Sequence, residues 1–338
     1  MKHFNINQEP LTVHGLAVHE NGMFFRLPLD VIDTVSDGVS QHARDSAGAR
    51  VRFRTDSETL NITYRPYLTA FDGYIISRAA KTMIGVYIDG CFAGATAKTN
   101  SEHATFTYNP RPGAKKKEMQ DVMIYLPMNN SIEDLNVAVD DDAQVLAPRP
   151  YKYEKPVYFY GSSITHGLAG SHPGRSYVDQ VCRKLDTEYV NLGFSGSCRA
   201  EEPMRHYLAA QEMSVFVYDY DHNAPTPEYL AQTHEPLFLT FREKQPDTPV
   251  IFITRPDFYK WSESDIKSRE IIRATYERAL ARGDKNVRFI DGESFFGYDD
   301  DRYECTVDGC HPNDRGFDKM AEGVLPVLKE LLEKVYGR

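Results

Sequence analysis

No stretch of this sequence approaches the roughly 18 consecutive apolar residues of a membrane-spanning helix. The opening Met1-Lys2-His3-Phe4-Asn5-Ile6-Asn7 also lacks the apolar segment of a secretory leader. The two absences lead us to expect a soluble, cytoplasmic protein with no membrane partner. Positive charge is in deficit, with 39 Lys and Arg against 49 Asp and Glu and a formal net charge of -10. That balance argues against nucleic acid or an anionic surface as a partner and suits a neutral or cationic small molecule better. The one basic cluster, Lys115-Lys116-Lys117 after Pro112-Gly113, reads as a solvated turn. Cysteine is sparse and odd in number, at 91, 182, 198, 305 and 310. This fits reduced thiols rather than a disulfide framework. The Cys305 to Cys310 spacing has no second pair to complete a zinc site, and no histidine pair has the His-Glu-x-x-His spacing, so we expect no metal and no cofactor. Tryptophan occurs once, at Trp261, where it reads as lid, rim or core cover.

What is present divides near residue 150. The length of 338 residues exceeds what one core usually serves. From about 20 to 145 the apolar residues recur with period two, as in Val51 and Phe53 and in Leu60, Ile62 and Tyr64. Further candidate strands are Ile84 to Ile88, Ala104 to Tyr108, Val122 to Leu126, and Leu135, Val137, Val139. Many short strands with little helix predict an antiparallel β-sandwich or jelly roll over 1–150. Ala147-Pro148-Arg149-Pro150 stiffens the chain and removes backbone donors, as a linker would.

Over 151–338 short buried runs alternate with amphipathic helices, the rhythm of parallel α/β units. Five strands are predicted: Val157 to Tyr160, Tyr189 to Leu192, Val215 to Tyr220, Val250 to Thr254 and Val287 to Ile290. A helix near 176–185 carries Val178, Val181, Cys182 and Leu185 on one face. The last helix does the same with Phe317, Met320, Ala321, Val324, Leu328, Leu331 and Val335. The expected fold is a flavodoxin-like, doubly wound five-stranded parallel sheet, with its crevice beyond the carboxyl ends of the strands.

Four segments at that edge carry chemistry. The first strand ends Tyr160-Gly161-Ser162-Ser163-Ile164-Thr165, placing Ser163, or less simply Ser162, where a hydroxyl can project into the crevice. Gly-Ser-Ser is equally ordinary turn chemistry, and the familiar Gly-x-Ser-x-Gly elbow is absent. After the second strand, Gly193-Phe194-Ser195-Gly196 lets backbone approach a substrate oxygen, with Gly196 N–H a candidate oxyanion donor. After the third, Asp221-His222-Asn223-Ala224-Pro225 sets out an amide that could serve likewise, or a plain turn asparagine. Before the last helix, Asp308-Gly309-Cys310-His311 can pair an acceptor with a histidine ring, fixing its tautomer for proton transfer, although such a pair also caps helices. Arg255, ending the fourth strand, could hold a substrate oxygen or simply pair with a carboxylate. Together the four segments supply nucleophile, base, orienting group and oxyanion donors at one sheet edge.

In these blocks the sequence resembles the SGNH/GDSL hydrolases over about 155–335. The resemblance implies Ser163 as nucleophile and Asp308 with His311 completing a triad. It also implies an oxyanion hole built from the Ser163 N–H, Gly196 and Asn223. Two departures stand out: Ser162 where the family has Asp, and Asp221 where its third block has Gly. A β-sandwich preceding such a domain looks like two-domain carbohydrate esterases, which implies a serine esterase acting on O-acetyl or other O-acyl groups of a small or oligomeric sugar. Lysophospholipase or thioesterase chemistry and an inactive sugar-binding protein are the alternatives. Tyr67, Phe71 and Tyr74 could wall such a crevice or belong to core.

Overall fold

The computed structural model describes residues 1–19, 22–67, 81–96, 104–109, 118–256, 262–297 and 300–338. The predicted positions Phe71, Tyr74, Lys115 to Lys117 and Trp261 lie outside them. The chain divides into two compact units. One comprises Met1–Leu27, Arg44–Tyr151 and Ser171–Gly174, and the other Pro28–Ala43, Lys152–Gly170 and Arg175–Arg338.

The first unit is antiparallel throughout. One sheet runs β1 (Lys2–Asn5), β9 (Ile132–Val139), β4 (Leu60–Pro66) and β7 (Ala104–Tyr108). The other runs β10 (Val145–Leu146), β3 (Arg50–Thr55), β8 (Gln120–Tyr125), β5 (Ile84–Ile88) and β6 (Cys91–Thr96), with β2 (Thr12–His14) beside β3. The alternation read from Leu60, Ile62 and Tyr64 is the buried side of β4; Asn61 and Thr63 between them are half-exposed. Inward residues of both sheets, among them Val51, Phe53, Ile62, Val86, Ile124 and Val137, meet in one apolar core, the arrangement of a sandwich. The strands that the periodicity does not mark, β1, β2, β6 and β10, are short or partly exposed.

The second unit is built on a five-stranded sheet in the order β12 (Thr187–Gly193), β11 (Tyr153–Gly161), β13 (Val215–Asp219), β14 (Val250–Ile253), β15 (Val287–Ile290). Every pairing in it is parallel. This is the flavodoxin-like order, and its strands are apolar on both faces because helices cover both. Helix α4 (Tyr177–Leu185) packs against α8 (Asp314–Val335). Helices α5 (Glu202–Ala210), α6 (Pro227–Lys244) and α7 (Glu263–Ala281) pack in succession. Two short helices from upstream in the chain, α1 (Leu29–Ile32) and α2 (Asp37–Ala43), belong to this unit as well. The chain leaves β11 to one side for β12 and returns to the other side for β13. The topological switch therefore falls between β11 and β13, where such sheets bind ligands.

Candidate active site

Ser163 opens α3 (Ser163–His166), one helical turn directly beyond β11. Ser162 caps that turn, its side chain accepting from Ile164 N–H at 3.2 Å. The cap explains the departure from Asp at this position: Ser is an equally good N-cap, and its hydroxyl is turned into the helix start. Ser163 N–H sits in the first turn, where backbone donors have no intrahelical acceptor.

Ser163 Oγ lies 2.9 Å from His311 Nε2. His311 Nδ1 lies 2.8 Å from Asp308 Oδ2, while Asp308 Oδ1 accepts from the backbone N–H of His311 at 2.8 Å and of Cys310 at 3.0 Å. An ionised carboxylate can only accept, so Nδ1 carries the proton and Nε2 presents its lone pair to the serine hydroxyl. Burial works against ionisation of Asp308, yet the hydrogen bonds from His311 and Cys310 outweigh it and hold the carboxyl below its ordinary value. The turn is itself fastened. Val307 N–H donates to His311 O at 2.9 Å, Asn313 N–H donates to Cys305 O at 3.0 Å, and the Asn313 side chain caps α8.

The loop after β12 brings Gly196 to the same edge with φ +69°, the left-handed region that favours glycine. Asn223 ends a single turn of 3₁₀ helix after β13, and its Oδ1 accepts from Cys198 N–H at 3.2 Å. That bond fixes the amide's orientation and leaves Nδ2 as its donor end. Asp221 is buried; its Oδ2 accepts from Arg255 N–H at 3.0 Å and its Oδ1 from His222 N–H at 3.1 Å. The carboxylate that replaces the family's glycine thus pins the turn carrying Asn223 to the end of β14. The Arg255 guanidinium pairs with Asp265 and approaches His222 Nδ1 at 2.8 Å, so the carboxylate partner set beside substrate binding in the sequence is present. A substrate oxygen would compete with it.

Sequence reasoning passed over Asp219, the last residue of β13. Its oxygens accept from Thr165 Oγ1 and, at 3.0 Å, from the Tyr177 hydroxyl, and its backbone O accepts from Ser162 N–H at 3.1 Å. From β12, Asn191 Nδ2 donates to Thr165 O at 2.8 Å. The turn that Ser163 opens is therefore held from both neighbouring strands. A charged residue ending an apolar strand was the only available signal.

Among the described residues, no helix is long and apolar enough to cross a membrane. Tyr67 is 41% exposed, its N–H bonded to Ser131 O and its carbonyl accepting from Asn130 Nδ2.

Similarity to known proteins agrees with this architecture. A Bacteroides ovatus protein designated a GDSL-like lipase shares 27% identity, with 98% of each chain covered and a TM-score of 0.85. A salicylyl-acyltransferase from a tetracycline biosynthetic pathway shares the fold at 17% identity and TM-score 0.78, covering 98% of this chain and 97% of its own. A family two carbohydrate esterase from Clostridium thermocellum shares it at 16% identity and TM-score 0.61, covering 85% and 94%. Comparison with curated proteins finds no match. Residues 1–145 match the N-terminus of the Esterase_SGNH_hydro-type proteins. Residues 154–329, more than half of the chain, match the GDSL-like lipase/acylhydrolase family, and the chain therefore belongs to that family as an esterase or acylhydrolase.

Proposed function

We propose that the chain is a serine esterase that removes O-acyl groups, foremost O-acetyl groups, from a carbohydrate through an acyl-enzyme. One observation carries the serine mechanism: the continuous hydrogen-bond path from Ser163 Oγ through the His311 ring to Asp308, at 2.9 and 2.8 Å. Ser163 Oγ attacks the ester carbonyl carbon as His311 Nε2 takes its proton, and Asp308 stabilises the resulting imidazolium. Negative charge gathers on the former carbonyl oxygen. The donors offered to it are Ser163 N–H, Gly196 N–H and Asn223 Nδ2, and such fixed donors are worth several kcal/mol in the transition state. Collapse of the tetrahedral intermediate breaks the bond to the alcohol, which leaves with the proton from His311. Water then adds to the acyl carbonyl by the same route and releases the acid.

The carbohydrate half of the proposal is supported by likeness of fold to carbohydrate esterases and by the acidic balance of the chain. It is tested by hydrolysis of p-nitrophenyl acetate, a p-nitrophenyl long-chain ester and an acetylated oligosaccharide by the parent protein and by Ser163→Ala, with circular dichroism to establish folding. Loss of all turnover in folded Ser163→Ala, with acetylated oligosaccharide the best substrate of the parent, is the expected result. Preference for the long acyl chain would move the assignment to a lysophospholipase or thioesterase. Undiminished turnover by Ser163→Ala would end the serine mechanism.

A further inference from the structure

A short helix from far upstream in the sequence braces the loop that carries Gly196. The helix is α2, which belongs to the second compact unit although β3 to β10 follow it in the chain. A Cβ placed on Gly38 would fall onto Ser197 Oγ and lie 2.9 Å from Ser197 Cβ. The helix backbone is thus packed against the Ser197 side chain, and a methyl group at position 38 fits only if Ser197 shifts. At the start of the helix, Ser36 donates from its N–H at 2.9 Å and from Oγ at 2.8 Å to the two carboxylate oxygens of Glu201.

These attachments bracket residues 197 to 201. Between them, Cys198 N–H donates to Asn223 Oδ1. Ser197 and Cys198 N–H groups both return to Phe194 O, at 2.9 and 3.0 Å. On the far side of the bend, Gly196 has no atom within 4 Å of where a Cβ would sit, and its carbonyl accepts from the Arg199 guanidinium at 3.4 Å. Toward its other end, α2 sets His42 edge-on to His166, ring centroids 5.3 Å apart, and His166 closes the turn that Ser163 opens. One seven-residue helix therefore touches both the loop of Gly196 and the turn of Ser163.

A glycine in the left-handed region is conformationally permissive, and an oxyanion donor displaced by a fraction of an ångström loses much of its value. The loop is held in part by Tyr160, whose hydroxyl accepts from Ala200 N–H at 2.8 Å, and by Tyr229, whose hydroxyl donates to Arg199 O at 3.1 Å; α2 adds the contact of Gly38 with Ser197 and the bonds of Ser36 to Glu201. We infer that α2 is a positioning element for the oxyanion donors: Gly38, seated on Ser197, fixes the placement of Gly196 and, through Cys198, of Asn223. The inference rests on the proposed roles of Gly196 and Asn223. Gly38 touches no reacting atom and acts through Ser197.

The test is a steric rescue in the full chain. Gly38→Ala forces Ser197 away and should lower kcat by about tenfold or more with KM unchanged. Adding Ser197→Gly to Gly38→Ala makes room for the methyl group and should recover most of that loss. A folded Gly38→Ala with undiminished kcat overturns the inference, as does a loss that Ser197→Gly leaves untouched. If Gly38→Ala does not fold, Glu201→Ala removes the acceptor of both Ser36 bonds and releases the other attachment. A fall in kcat at constant KM is again expected, and unchanged kcat overturns the inference. Ser163→Ala, assayed in parallel, separates the two levels. Activity surviving in Ser163→Ala would overturn the serine mechanism and this inference with it, whereas an inactive Ser163→Ala beside a fully active Gly38→Ala would overturn the positioning role alone.

Discussion

Asp219 accepts a hydrogen bond from the Tyr177 hydroxyl at 3.0 Å through one carboxyl oxygen and from Thr165, two residues beyond Ser163, through the other. Burial dominates this carboxyl. It outweighs the hydrogen bonds from Thr165 and Tyr177, Asp221 nearby reinforces it, and the pKa is pushed up to about 7 from 3.8. The folded protein therefore holds this proton more tightly than the unfolded chain. The stabilising contribution is complete below about pH 4 and is lost progressively as pH rises to 7. Asp219→Asn, uncharged throughout, should abolish that loss, which is on the order of a few kcal/mol. Thermal melts of both proteins from pH 4 to 8 measure it, and parallel curves would show that Asp219 ionises like an exposed carboxylate.

Asp308 lies on the opposite side of the same ledger. Three donors, two of them backbone N–H groups, converge on its carboxylate and fix the His311 ring between it and Ser163. Asp308→Asn replaces an acceptor by an amide that can donate to Nδ1, which favours the tautomer with its proton on Nε2 and withdraws the base from Ser163. We expect kcat to fall by roughly 10³- to 10⁴-fold at little change in KM, as in other serine triads. Steady-state kinetics on p-nitrophenyl acetate with matched circular dichroism check this. A loss below about tenfold would remove Asp308 from the orienting role.

Asn223 and Asp221 should separate by magnitude. In the proposed mechanism Asn223 offers its Nδ2 directly to the oxyanion, so Asn223→Ala should lower kcat by roughly 10²- to 10³-fold. Asp221 acts only by anchoring the turn through Arg255 N–H and His222 N–H. Asp221→Ala should therefore cost stability, because it leaves two part-buried N–H groups without their acceptor, and reduce kcat less than Asn223→Ala does. Equal kcat losses in two folded variants would place Asp221 in contact with the substrate instead.

The parts of this site legible in the sequence are those whose geometry is local. Asp308 and His311 meet across three residues, and Ser163 follows a short apolar run that reads as a buried strand, so spacing and period place them at one sheet edge while their roles come from the resemblance of the combined blocks. The β core was legible for the same reason: Val51, Phe53, Leu60, Ile62 and Tyr64 alternate, and alternation in a half-buried strand has one outcome. Asp219, Thr165 and Tyr177 come from a strand and two helices, and nothing in their neighbours' spacing signals that they converge. The same holds for α2, whose partner residues Ser197 and Glu201 lie far along the chain. The edge strand Thr12–His14 escaped because its three residues are all half-buried and too few to show an apolar period.

Gly193 shows how little space separates the sheet from the turn that Ser163 opens. A Cβ at this position would fall on the backbone N of His166 and lie 2.8 Å from the carbonyl carbon of Thr165. Both are backbone atoms, held by Asn191 Nδ2 on Thr165 O and by the hydrogen bond of His166 N–H to Ser162 O. Neither can turn aside as a flexible side chain would, so Gly193→Ala must move α3 or the end of β12. Overpacking of this kind costs about 1 to 3 kcal/mol, and because α3 begins with Ser163, the displacement also breaks the alignment of Oγ with His311 Nε2. Gly193→Ala should therefore melt several degrees lower and lose catalytic rate together, whereas Gly283→Ala, at an open turn with no atom within 4 Å, should lose stability through its positive φ and keep its rate. Melting temperature and kcat measured on the pair decide the matter: a Gly193→Ala protein that is destabilised yet fully active would mean that Ser163 is aligned independently of β12.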